Sequence, residues 1–94
     1  MLRILFPNRF PMGEVVVTPG ARMKLPRRQV LAALLRHASG DWGELSEEDR
    51  EVNNDGVDKC GRLRSAYSAR DGTRFWIITE PDRSVTTVLL PEEC

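Results

Sequence analysis

The spacing of apolar and polar residues changes along this chain, and the changes mark its elements. From Arg62 to Leu90 the apolar positions fall in three short runs rich in aromatic and β-branched residues, separated by Asp71-Gly72 and by Pro81-Asp82-Arg83-Ser84. Such runs bounded by turn residues read as strands, so this stretch predicts a C-terminal antiparallel meander. Asp-Gly favours a two-residue hairpin loop. That loop sets Arg70 opposite Thr73, Tyr67 opposite Trp76 and Ser65 opposite Ile78. A four-residue second loop sets Glu80 opposite Val85 and Ile78 opposite Thr87. Side chains alternate with period two. One face then carries Tyr67, Trp76, Ile78 and Leu89, the other Phe75, Ile77, Val88 and Leu90.

Ahead of the meander the period is helical. Val30, Leu31, Leu34, Leu35 and Ala38 form one apolar stripe, predicting a helix from Pro26 to about Ala38 that ends at Ser39-Gly40. Thr18-Pro19 opens a brief helix that Leu25-Pro26 interrupts. Ser46-Glu47-Glu48-Asp49 fits a capped start, and its helix is expected to fray at about Asn54. Glu14–Thr18 is a short strand that can join the sheet. Residues 1–12, with Phe6-Pro7 and Phe10-Pro11, read as an extended N-terminal extension. Residues 13–94 form a single domain. The expected fold is α+β, with a three- or four-stranded antiparallel sheet covered on one face by two or three short helices.

Both faces of that sheet are apolar, whereas an antiparallel sheet with one wet face alternates cleanly. The helices suffice for one face. The larger side chains of the Trp76 face assign it to the core. Phe75, Ile77, Val88 and Leu90 are then left as an interface, for a homodimer, the N-terminal segment or a partner.

Composition places the chain among ordinary globular proteins, with 40% hydrophobic and 30% charged residues in 94. No apolar run is long enough for a membrane span, and the N-terminus lacks a secretory leader, so a cytoplasmic location is expected. Cys60 and Cys94 suggest neither a disulfide framework nor a zinc site. The net charge of zero argues against general nucleic-acid binding. It is unevenly spread: residues 1–36 carry +6, residues 41–58 carry −7, and the remainder +1. The two blocks can neutralise each other across the fold, or the acidic one can serve as a recognition surface.

The candidate chemistry is sparse. His37, Asp41 and Glu44 have spacings of four and three, but the helix breaks after His37 and the chain has no second histidine. No metal or cofactor is expected. Asp41 can cap its loop, and Trp42 can fill the core or a partner's pocket. His37 as proton carrier, Arg62 and Arg64 at a phosphate, and Tyr67 orienting a nucleophile would suit a small metal-independent ribonuclease. Candidate binding residues for a non-catalytic protein are Asp41, Trp42, Glu44, Glu47, Glu48, Asp49, Glu51 and Arg83.

The segments FPMGEVVVTPGA, RHASGDWGEL, GRLRSAY and RFWIITEPDRSVTTVLLPEE resemble a family of small proteins carried on plasmids, integrative elements and phages. The similarity runs from about Phe10 to the C-terminus and is most specific at HASGDWGEL and WIITEPDRSVTTVLLP. The first nine residues and Cys94 depart from the pattern. The resemblance implies a protein that serves a mobile element inside a bacterial host. Inhibitors of CRISPR or restriction complexes are the pertinent class, with a host protein complex as partner.

Overall fold

The computed structural model describes residues 8–94. The chain runs β1 (Glu14–Val17), α1 (Pro19–Lys24), α2 (Arg27–Ala38), α3 (Glu47–Lys59), β2 (Leu63–Ser68), β3 (Arg74–Thr79) and β4 (Val85–Leu89), ending in a 3-10 turn at Pro91–Glu93. The four strands form one sheet in the order β1-β4-β3-β2. The fold is α+β, as expected, with the N-terminal strand added as a fourth. That strand joins in parallel, Glu14 beside Val85 and Val17 beside Val88, so the sheet is mixed rather than wholly antiparallel.

Local signals start the helices. The Thr18 hydroxyl accepts from the Ala21 N–H at 3.3 Å, and Pro19 takes the first turn of α1. Ser46 caps α3 through the Asp49 N–H at 3.2 Å, with three acids in the first turn. α3 does not fray at Asn54 but continues to Lys59. Two contacts carry it on. The Asn53 side chain pairs with the Arg64 backbone, donating to its carbonyl at 2.6 Å and accepting from its N–H at 3.3 Å. Gly56 lets α3 approach Gly61 and Leu63, which lie at 3.4 Å from where a Cβ would stand.

The β3–β4 register is the expected one, with Ile78 opposite Thr87. The β2–β3 register is not. Tyr67 faces Phe75 and Ser65 faces Ile77, one residue away from expectation. The loop has three residues, Arg70-Asp71-Gly72, closed by Ala69 N–H to the Thr73 carbonyl and Gly72 N–H to the Ala69 carbonyl. Gly72 adopts φ +91°, the left-handed residue such a loop requires. A one-residue slip moves every side chain of a strand to the other face. Leu63, Ser65 and Tyr67 therefore share a face with Phe75, Ile77, Thr79, Thr86 and Val88.

The helices cover that face. Ala21, Leu25, Val30, Ala33 and Leu34 pack with Tyr67, Phe75, Ile77, Val88 and Leu90 in one cluster. Phe75, Ile77, Val88 and Leu90 are only 2%, 0%, 0% and 3% exposed. Their assignment as an outward interface is overturned, and with it the surface on which a homodimer was expected. Each such buried side chain contributes roughly 1.5–3 kcal/mol. α2 is also rotated from its expected stripe. Ala33 and His37 turn inward with Val30, Leu34 and Ala38, while Leu31 and Leu35 are 53% and 40% exposed.

A second cluster joins Phe10, Trp42 and Leu63, with Met12, Leu45 and Val57 against it. Packing thus begins by Phe10, inside the segment expected to be a separate extension. Residues 1–7 of that segment lie outside the described residues.

Candidate functional site

The polar residues with chemical potential meet at the junction of α2 with the sheet. His37 Nδ1 lies 2.5 Å from Ser65 Oγ, and Nε2 lies 2.9 Å from Thr79 Oγ1. Thr79 Oγ1 is 2.7 Å from Thr86 Oγ1, which donates to the Met12 carbonyl at 2.7 Å. That carbonyl can only accept, and this sets every proton upstream. Thr86 donates to Met12, Thr79 to Thr86, His37 Nε2–H to Thr79, and Ser65 O–H to His37 Nδ1. The imidazole is neutral, with its proton on Nε2.

His37, Ser65, Thr79 and Thr86 are all 0% exposed. The imidazole meets Phe10 and Trp42 edge-on at 5.3 and 5.6 Å. Burial lowers its pKa from 6.5 to about 4. Both ring nitrogens are engaged and no face of the ring meets solvent. The arrangement clamps α2 to three strands and offers no base to a substrate.

The residues proposed to cooperate with His37 do not join it. Tyr67 faces the helices, but its hydroxyl donates to the Asp41 carbonyl at 2.5 Å while Arg36 stacks on its ring at 4.7 Å. Burial pushes its phenol up to about 12. Arg62 and Arg64 belong to the opposite face, where they meet Glu80 at 3.3 Å and Asp49 at 3.6 Å. The His37, Arg62, Arg64 and Tyr67 set is divided by the sheet itself.

The loop Asp41–Leu45 closes the free edge of β2. The Ala66 N–H donates to the Trp42 carbonyl at 3.1 Å, and the Glu44 N–H donates to the Ala66 carbonyl at 2.7 Å. Gly43, at φ +74°, stands against the Ala66 carbonyl with no room for a Cβ. Trp42 is buried, and its Nε1–H donates to Asn54 Oδ1 at 2.9 Å. Asp41 accepts from Arg36 Nε at 2.7 Å and from the Gly43 N–H at 3.2 Å, and the guanidinium holds its carboxyl below the usual range. Glu44 takes Ser68 at 2.8 Å and Arg74 at 3.7 Å.

Arg83, in the second turn at φ +61°, donates to the carbonyls of Gly61, Gly56 and Glu80 at 2.6, 2.9 and 3.2 Å. It thereby ties the end of α3 to the β3–β4 loop. Asp41, Trp42, Glu44 and Arg83, expected as binding residues, all have partners inside the fold. Of the acidic set on α3, Asp49 pairs with Arg64. Glu47, Glu48 and Glu51 are exposed and form no ion pair among the described residues.

The other face of the sheet is different. Ala66, Ile78 and Leu89 are buried there, yet they belong to neither core cluster. Trp76 is half-buried beside them, with the Arg64 guanidinium 4.9 Å from its ring centroid. Among the described residues no helix contributes a side chain to a cluster on this face. Sequence reasoning missed it because the expected register grouped Tyr67 with Trp76, and the larger side chains of that face assigned it to the core.

No family model, curated protein or solved structure matches this chain. Among the described residues, no group of three or more His, Cys, Asp or Glu is placed to hold a metal ion, and no helix is long and apolar enough to cross a membrane.

Proposed function

We infer that this is a non-enzymatic interaction protein that binds a partner protein through the face of its sheet that carries Trp76. The observation that carries this is partly exposed Trp76 under the Arg64 guanidinium, beside Ile78 and Leu89, on a face where no helix among the described residues joins a cluster. Trp and Arg are the residues most enriched where binding energy concentrates, and a central aromatic anchor amid apolar contacts is the usual arrangement. A ribonuclease would need an accessible base, and His37 has none to offer. The resemblance to proteins of mobile elements supplies the setting: a host bacterial cytoplasm, with a CRISPR or restriction complex as the partner. The exposed carboxylates of α3 suit such a target, because complexes that hold nucleic acid present basic channels to which an acidic helix is complementary.

The test is co-purification with purified CRISPR effector and restriction complexes at moderate salt, with the wild type and with Trp76→Ala and Arg64→Ala. A stable complex that each substitution weakens at least ~tenfold is expected. Complexes indifferent to both substitutions would remove this face from the interaction. Absence of binding to any such complex would remove the anti-defence role.

A further inference from the structure

β1 is an edge strand. β4 covers one side of it, and among the described residues no strand covers the other. The Glu14 N–H donates to the Ser84 carbonyl and the Thr18 N–H to the Val88 carbonyl, each at 3.0 Å. Even-numbered residues thus turn their backbone groups toward β4. Backbone polar groups alternate sides along a strand, so the N–H and C=O of Val15 and Val17 point outward. Exposed edges are commonly blunted by lysine, proline or a bulge. β1 reads Glu-Val-Val-Val, with Val15 and Val16 41% and 39% exposed.

On the helical side of this edge lies a groove of about 600 Å³, lined by Val17, Leu25, Val30, Arg22 and Arg27. Neither guanidinium has a carboxylate within ion-pair distance among the described residues. The acids of the C-terminal turn are engaged elsewhere: Glu92 faces Lys24 at 3.9 Å, and Glu93 accepts from the Thr18 hydroxyl at 2.6 Å and the Gly20 N–H at 3.1 Å. Among the described residues, unpaired backbone, an apolar floor and two cations without a carboxylate partner therefore adjoin one another.

We propose that β1 accepts an extended acidic peptide segment of a partner protein as a fifth strand. Its backbone bonds to Val15 and Val17. Every second side chain turns toward the groove. One apolar residue rests on Val17, Leu25 and Val30, and a carboxylate two positions along meets Arg22 and Arg27. Charge selects this occupant over a second copy of the chain. Two-fold pairing of β1 with itself would bring the arginines of both copies to one seam, where like charges repel. The site is separate from the Trp76 face, and its occupancy does not depend on that face binding anything.

The experiment is an amide NMR titration of the full chain with an acetylated octapeptide, Val-Thr-Glu-Thr repeated, and with its lysine-for-glutamate counterpart. Shifts are expected at Val15, Val17, Arg22 and Arg27, with the glutamate peptide binding at least ~tenfold more tightly. Of two versions N-methylated at alternate residues, at least one should lose binding. Arg22→Glu with Arg27→Glu should reverse the charge preference. Val15→Pro deletes an outward N–H and leaves the β4 ladder intact, so the variant should fold and fail to bind.

No shift at ~1 mM peptide, equal binding of both peptides, binding by both N-methylated versions, or shifts confined to the Trp76 face would each overturn the proposal. So would a peptide-free dimer that Val15→Pro dissolves, since a second copy would then be the occupant.

Discussion

On the face turned to the helices, Phe75, Ile77 and Val88 are buried under α1 and α2, and the polar groups among them form a chain with no loose end. One residue along the same strands, Trp76 and Thr87 are half-buried, Arg64 lies over the indole, and Ser68 and Arg74 are exposed. Both faces contain apolar residues, so apolar content does not distinguish them. What distinguishes them is how the polar groups are satisfied. On the helical face each hydroxyl and ring nitrogen has a partner within the core. On the other the charged groups reach outward to Glu80, Asp49 and Glu44 at the rim, in exposed pairs worth about 0–1 kcal/mol each. The first arrangement commits the face to folding, and the second keeps its charges at the surface.

The largest test of this contrast is a pair of truncations. Phe75→Ala should cost about 3–5 kcal/mol, because it opens a cavity under α2. Trp76→Ala removes a bigger side chain but should cost only about 1–2 kcal/mol, since the ring is only partly buried. Urea denaturation of the two variants checks the order. If Trp76→Ala proved the more damaging, the faces would be reversed.

The buried chain can be probed by pH. His37 has a pKa of about 4 in the fold against 6.5 ordinarily, so between these values the unfolded chain binds a proton that the folded one refuses. Its contribution is fully present above about pH 6.5, falls as the pH drops toward 4, and levels off below. The loss approaches about 3 kcal/mol. Urea midpoints across this range should fall in the wild type, and much of the slope should vanish in His37→Gln. An unchanged slope would place the titrating group elsewhere.

Gly43→Ala should cost about 2 kcal/mol or more, because the residue sits at φ +74° with its Cβ directed at the Ala66 carbonyl. Faster amide exchange at Ala66 and Glu44 should accompany it, showing that the loop has left the β2 edge. The smallest effect belongs to the acidic helix. Glu47→Lys with Glu51→Lys should shift stability by about 1 kcal/mol at most, mainly through the reversed charge at the N-terminus of α3. If those carboxylates serve a partner, that binding would fall while the urea midpoint barely moved.

Much of this architecture is decided by neighbours in sequence. Thr18-Pro19 and Ser46 start helices because their side chains or ring complete groups one turn away. The β3–β4 register follows from a turn whose bonds are equally local, Arg83 N–H to the Glu80 carbonyl and Ser84 N–H to Asp82 Oδ1. The α2 stripe was legible to within a small rotation. The other features depend on residues far apart. Asp71-Gly72 suits a two-residue or a three-residue loop, and the choice sends Tyr67 to one face or the other. The packing of Tyr67 with Phe75 and α2 agrees with the longer loop. α3 extends past its asparagines because Asn53 finds the Arg64 backbone. His37 is a core residue because Ser65, Thr79 and Thr86, drawn from three strands, satisfy it. Local propensity carries no term for such pairings, so the sequence alone determined the elements and their caps, while tertiary contact decided which face of the sheet packs against the helices.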